Sequence, residues 1–356
     1  GIIIVLLMAS CSKKSEPLFE RMPAEKTGIT FSNNVTQNDS INIIDYTNMF
    51  NGGGVAVADF NNDGFQDLYF TGNMVGNELY LNEGDFKFRN VTEEAEVSAV
   101  NRWSSGVAVV DINNDGMMDI YICATTYGNP EQRTNLFYIN QGNNENNVPV
   151  FKEMAEEYNV ADAGHTTMAA FFDYDNDGDL DLFLMQNQFN RHSSMSNYHK
   201  KMLKGESETT DRLFRNDGPD SQGKIRFTDV SDEAGILIEG FGLGMNITDI
   251  NRDGWKDIYV ANDFITNDVF YINNGDGTFT DKAGEIFKHT AHAAMGTDVA
   301  DINNDGYPDI VVVDMRPEDN YRKKKMLHPN DYSTYLNNER YNYDYQFVRN
   351  VELLLM

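Results

Sequence analysis

Short apolar runs alternate along this chain with short polar runs, at intervals too brief for helices. Small-residue runs such as Gly54-Val55-Ala56-Val57-Ala58 and Gly106-Val107-Ala108-Val109-Val110 precede a nine-residue polar linker. Each linker leads into a second apolar run: Leu68-Tyr69-Phe70, Ile120-Tyr121-Ile122, Leu182-Phe183-Leu184, Ile258-Tyr259-Val260 and Ile310-Val311-Val312. Branched and aromatic residues in runs this short suit extended strands. The linker has a nearly fixed form, Asp-x-(Asn/Asp)-x-Asp-Gly-x-x-Asp, at Asp59 to Asp67, Asp111 to Asp119, Asp173 to Asp181, Asp249 to Asp257 and Asp301 to Asp309. The local unit is therefore strand, polar loop, strand.

A second phrase completes the repeat. It reads Asn77 to Gly84 followed by Phe88 to Thr92, then Asn135 to Gly142 with Phe151, Arg212 to Gly218 with Phe227 to Val230, and Asp268 to Gly275 with Phe279 to Asp281. Each has the form of a hairpin, an apolar strand and an Asn/Gly turn before a short return strand. One repeat then holds about four strands, the content of a propeller blade. The predicted fold class is all-β: a β-propeller of four-stranded blades, of which five carry the loop. Loop starts lie 52, 62, 76 and 52 residues apart. The longest interval contains a polar insertion, Gln188 to Thr210, expected to be a surface excursion with some helix.

The loop has the chemistry of a hard-cation site. Ca²⁺ takes six to eight oxygens, and a tightly coiled loop offers them from alternate residues. Side chains at positions 1, 3, 5 and 9 would supply oxygens, the residue at position 7 its backbone carbonyl, and glycine at position 6 the sharp turn. The predicted ligands are Asp59, Asn61, Asp63, Phe65 and Asp67; Asp111, Asn113, Asp115, Met117 and Asp119; Asp173, Asp175, Asp177, Asp179 and Asp181; Asp249, Asn251, Asp253, Trp255 and Asp257; and Asp301, Asn303, Asp305, Tyr307 and Asp309. Phe65, Met117, Asp179, Trp255 and Tyr307 enter through the carbonyl alone, so their side chains are free to vary. A helix-loop-helix site would carry a bidentate Glu at position 12, which here is Phe70, Ile122, Leu184, Val260 or Val312. Ordinary Asn/Asp/Gly turns would also fall between strands, but turn chemistry does not demand Asp at position 9 in five copies.

These residues resemble the FG-GAP/VCBS repeats of bacterial surface proteins, related to integrin α-chain propellers and the cartilage acidic protein group. The resemblance covers residues 50 to 315. It implies a propeller, commonly seven-bladed, with one structural Ca²⁺ in each motif-bearing blade, about five here, and a role in binding or adhesion rather than chemistry. Only five loops are present, and Tyr345 to Asn350 reads as the start of another blade. Residues 46–356 are therefore expected to form a propeller that is incomplete at its C-terminal side.

Residues Ile2 to Met8 are continuously apolar, and Ala9-Ser10-Cys11 follows. The stretch is too short to span a bilayer and has the size of a signal-peptide core. With its small residues ahead of Cys11 it resembles a bacterial lipobox. Residues 1–11 are thus expected to be a signal-peptide remnant ending at a lipidated Cys11, and 12–45 a lead-in segment. The expected setting is exported and lipid-anchored, at the outer membrane or cell surface of a Gram-negative bacterium. Cys123, the second of two cysteines, falls inside a predicted strand and reads as a small core residue.

The formal charge of −28 changes meaning once the loops are recognised. They hold 17 carboxylates, and five divalent cations would bring the balance to about −18. A basic face for nucleic acid is lacking, and the run Arg322-Lys323-Lys324-Lys325 reads as a solvated loop.

The loops identify a scaffold, so partner contacts are sought at the opposite end of the preceding strands. Phe50, Arg102, Trp103, His165, Phe241 and His292 fall there and would form a rim gripping a sugar or peptide, or else pack between blades. The expected partner is an extracellular or periplasmic protein or glycan, with the membrane met only through the N-terminal lipid. No nucleophile elbow or phosphate-cradling loop is present, and no catalytic residue is assigned. A polysaccharide-active hydrolase or lyase on a propeller scaffold is the alternative, and a structural spacer a third reading.

Overall fold

A computed structural model describes residues 18–46, 49–187, 198–325 and 332–353. Cys11 and residues 188–197 of the 188–210 insertion lie outside these residues. Four sheets are antiparallel meanders of four strands in chain order. The first comprises β1 (Val55–Ala58), β2 (Asp67–Phe70), β3 (Glu78–Asn82) and β4 (Phe88–Asn90). The second comprises β5 (Ser104–Val110), β6 (Asp119–Ala124), β7 (Leu136–Asn143) and β8 (Pro149–Glu153). The third comprises β9 (Thr166–Phe172), β10 (Asp181–Gln186), β11 (Arg212–Pro219) and β12 (Ile225–Asp229), and the fourth β13 (Gly242–Thr248), β14 (Asp257–Asn262), β15 (Val269–Asn273) and β16 (Phe279–Asp281). These sheets have the form of propeller blades. First strands of successive sheets lie side by side.

The second strands show why the sheets stack. Alternate side chains point to opposite faces, so Ile120 and Ile122 pack back against Tyr69, Leu79 and Leu81, while Tyr121 and Cys123 pack forward against Leu182, Leu184 and Phe214. Phe183 and Met185 meet Ile258 and Val260, and Tyr259 and Ala261 meet Ile310 and Val312, in the same way. Cys123 is wholly buried and unbridged, and burial pushes its thiol pKa well up, which suits a core residue. The two outermost faces are the exception. Val55 and Val57 on the first sheet are 57% and 56% exposed, and Val313 on the fifth is 45% exposed. Part of the first face is covered by the lead-in segment, where Phe31 stacks on Phe70 at 5.1 Å and the Thr30 N–H donates to Tyr80 Oη at 3.2 Å.

The fifth sheet corrects the expectation for the C-terminal residues. After β17 (Thr290–Ala291) come β18 (Ala294–Ala300) and β19 (Asp309–Asp314). Then β20 (Gln346–Phe347) pairs parallel to β17, and β21 (Val351–Leu353) becomes the third strand of the fifth sheet. Tyr345 to Asn350 therefore does not begin a new blade. Asn350 Oδ1 accepts the Asp314 N–H at 2.9 Å, as Asn77 Oδ1 accepts the Gly72 N–H in the first sheet. The same hydrogen bond sets the entry to the third strand in both. The basic run differs too: Asn320–Lys325 is an exposed helical turn rather than a loop.

Candidate metal centres

Each loop sits between the first and second strand of its sheet, and its backbone dictates its residues. Position 4 is left-handed in all five copies: Asn62, Asn114, Asn176, Arg252 and Asn304 have φ of 54°, 54°, 57°, 63° and 60°. Position 6 is left-handed as well, with Gly64 at 90° and Gly178 at 96°. Asparagine tolerates that region better than most residues, and glycine pays no Cβ penalty there. The recurring asparagine at position 4 supplies no predicted ligand. Its side chain instead reaches the next loop: Asn62 Nδ2 donates to Gly116 O at 3.0 Å, Asn176 Nδ2 to Gly254 O at 3.2 Å and Arg252 Nη1 to Gly306 O at 3.1 Å.

The coil turns its carboxylates inward onto its own amides. Asp59 accepts the N–H of Asp63 at 3.1 Å on one oxygen and that of Gly64 at 2.8 Å on the other, and Asp111, Asp173, Asp249 and Asp301 do the same. Position 5 accepts the N–H of position 7. The aspartate at position 9 is buried in every copy. Asp119 Oδ2 takes the Ile112 N–H at 3.1 Å and Oδ1 the Asn140 N–H at 2.8 Å, tying the loop to the third strand. Asp67, Asp181 and Asp257 repeat both bonds. Desolvation pushes Asp67 and Asp257 up to about 6 and Asp119 and Asp181 up to about 7, against the lowering effect of those amides.

The third loop is the most metal-like. Asp173, Asp175 and Asp177 each offer one oxygen, all within 4.8 Å of one another. Asp175 Oδ1 is buried with no hydrogen-bond partner among the described residues. A buried carboxylate oxygen without a donor is costly unless a cation satisfies it, so this donor set fits a hard cation. In the first, second and fourth loops an amide stands at position 3, and its Nδ2 donates to Asp63, Asp115 or Asp253 at 2.8–2.9 Å.

Residues 59–122 and 249–312 match the family described as FG-GAP-like repeat, each stretch running from a loop's first aspartate through the following loop to the next strand. The chain carries FG-GAP-like repeats. It is 25% identical over 259 residues to "Cartilage acidic protein 1" of Mus musculus, covering 58% of this chain and 39% of that protein. Against "Cartilage acidic protein 1" of Homo sapiens it is 24% identical over 320 residues, covering 84% and 43%. The chain thus spans about two fifths of the length of these curated relatives. Among solved structures, that of the V. cholerae biofilm matrix protein Bap1 is similar at a TM-score of 0.35 and 15% identity, over 74% of this chain and 35% of that one.

At the other end of the FG-GAP-like repeats the structure brings the six proposed rim residues to the starts of the first strands, but it buries most of them. Trp103, His165, Phe241 and His292 are buried, Arg102 is half-buried and Phe50 is exposed. His165 Nδ1 lies 3.4 Å from Thr125 Oγ1, and burial, with Arg133 nearby, lowers its pKa to about 4, so the ring is neutral at pH 7. His292 stacks on Phe264 at 4.3 Å. Thr125 follows β6 and Phe264 follows β14, so these two histidine contacts run between neighbouring sheets. Trp103 also borders a cavity of about 330 Å³, shared with Gly54, Gly106, Thr125, Met168 and Leu243.

Proposed function

We propose that the chain is a calcium-stabilised β-propeller module that binds an extracellular protein or glycan rather than turning over a substrate. The observation that carries this reading is the third loop, where Asp175 Oδ1 is buried without a donor beside Asp173 and Asp177. Five loops of one geometry support five structural ions, the third held tightest because it has the most carboxylates. The exposed Val55, Val57 and Val313 occupy blade-packing positions, which supports a larger, seven-bladed ring in which further blades cover them. The cavity beside Trp103, among the first strands, is the proposed partner site. Export and a lipid on Cys11 complete the proposal.

Calcium titration of the metal-free protein, followed by direct metal analysis, tests the scaffold. About five ions per chain with millimolar or sub-millimolar affinity are expected, and fewer than two would overturn the reading. Met168→Trp, which fills the cavity beside Trp103 from an exposed wall, should abolish partner binding with little change in melting temperature. Turnover of a glycan substrate by the purified protein would favour an enzyme instead. Metabolic labelling with palmitate, lost in Cys11→Ser, tests the anchor.

A further inference from the structure

Two long excursions leave the same face of the molecule. One follows β10 and the other follows β19, both second strands, so both emerge opposite the metal loops. They are tied to each other and to the linker ahead of β13. The Lys201 N–H donates to Tyr341 O at 3.2 Å, the Gly205 N–H to Leu237 O at 2.9 Å, and the Tyr198 and Tyr341 rings stack at 5.7 Å. Buried Glu239 pins the junction, accepting the Met202 N–H at 2.9 Å and the Tyr343 hydroxyl at 3.1 Å on Oε1, with His199 Nε2 at 2.9 Å from Oε2.

Beneath this cap lies a cavity of about 390 Å³, within the range of small-ligand sites. Its walls include Lys201, Leu237, Ile238, Asp281, Tyr343 and Asp344. The Lys201 side chain is 7% exposed, yet among the described residues its ammonium meets only Asp344 Oδ2, at a loose 3.5 Å. Three N–H donors on one buried nitrogen are poorly served by one distant carboxylate. Asp281 uses Oδ1 for the N–H groups of Phe270 and Ala283, both at 3.1 Å. Its counterparts Glu153 and Asp229 brace the next short helix in the same way but are exposed, whereas Asp281 is half-buried. Asp281 Oδ2 has no hydrogen-bond partner among the described residues.

We infer that this cavity binds an uncharged, hydroxyl-rich ring, the terminal sugar of a glycan. One ammonium between two carboxylates gives the walls a net negative charge, which disfavours an anion, while Lys201 opposes a cation. A hydroxyl can accept from Lys201 while donating its one hydrogen to Asp281 or Asp344, and a ring with several hydroxyls can serve both carboxylates. Leu237, Ile238 and the Tyr343 ring supply the apolar surface for the sugar's C–H groups. This site is separate from the Trp103 cavity and does not depend on it.

Saturation-transfer NMR of the whole chain with glucose, galactose, mannose, fucose, xylose and N-acetylglucosamine tests the inference. At least one sugar should bind, and Lys201→Met should weaken it by about tenfold or more, the loss expected for a hydrogen bond to a charged group. Leu203→Trp, which fills the cavity from its half-exposed rim, should do the same without disturbing the buried charges. Met168→Trp, in the other cavity, should leave sugar binding intact. Absence of binding by all six sugars, or binding that survives both variants of this cavity, overturns the proposal. So does binding lost only in Met168→Trp.

Discussion

Asp211 and Asp268 stand where the other repeats carry Asn77, Asn135 and Asn350. Each accepts the N–H of the residue that ends or follows the second strand, at 2.8 Å from Gln186 and 2.9 Å from Asn262. Both are fully buried, and desolvation raises both to about 7 against their hydrogen bonds, with Tyr259 Oη donating to Asp268. A carboxylic acid whose pKa is higher in the folded than in the unfolded chain holds its proton longer when folded, so stability falls as pH rises from about 4 through about 7. Asparagine mimics the protonated form, and Asn77 and Asn135 show that its amide can donate to the neighbouring Tyr69 or Tyr121 hydroxyl, at 3.0 and 3.1 Å. Asp268→Asn and Asp211→Asn should each raise stability at pH 8 by about 1 kcal/mol or more and flatten the melting temperature between pH 5 and pH 8. An unchanged pH slope in the double variant would show that these carboxyls titrate normally.

At the scale of the sheet, the first strands are built from small residues because they approach one another closely. A Cβ added to Gly106 would lie 2.5 Å from Thr167 O on the next sheet. Gly106→Val should therefore cost about 1–3 kcal/mol, the usual effect of overpacking, read as a lower midpoint in urea. Gly128→Ala, with open space around it, serves as the control and should shift the midpoint little. A tolerated valine would mean that the first strands can separate freely. The strand pattern in the sequence marks β1, β2 and their counterparts clearly, because branched residues and the nine-residue loop recur at fixed spacing. The third strand of the fifth sheet is not legible in that way. It returns only at Val351, after 36 residues from Asp314, and nothing local in the sequence says which sheet it will join.

For the whole molecule, charge outweighs any single contact. A formal −28 with carboxylates clustered in five loops repels itself until cations arrive. Chelation should lower the melting temperature markedly. Added sodium chloride should then recover part of that loss in the metal-free protein by screening, while affecting the calcium-loaded protein much less. Equal melting curves with and without EDTA would remove the structural role assigned to the loops. The lysine-rich turn Asn320–Lys325 offers little relief, since it is exposed and lies in the excursion between β19 and β20.

The sequence by itself determined the repeat: the strand alternation, the hairpin phrases, and a loop whose aspartates and glycines answer to its own coiled backbone. These are local requirements, and spacing alone expresses them. Tertiary structure decided what depends on residues remote in the chain. It buried Trp103, His165, Phe241 and His292, and set the two histidine rings against residues of the neighbouring sheets. It made position 4 a link between adjacent loops. It also folded two excursions with no periodic pattern over one another, placing Lys201 beside Asp344 and Asp281, more than 75 residues away in sequence.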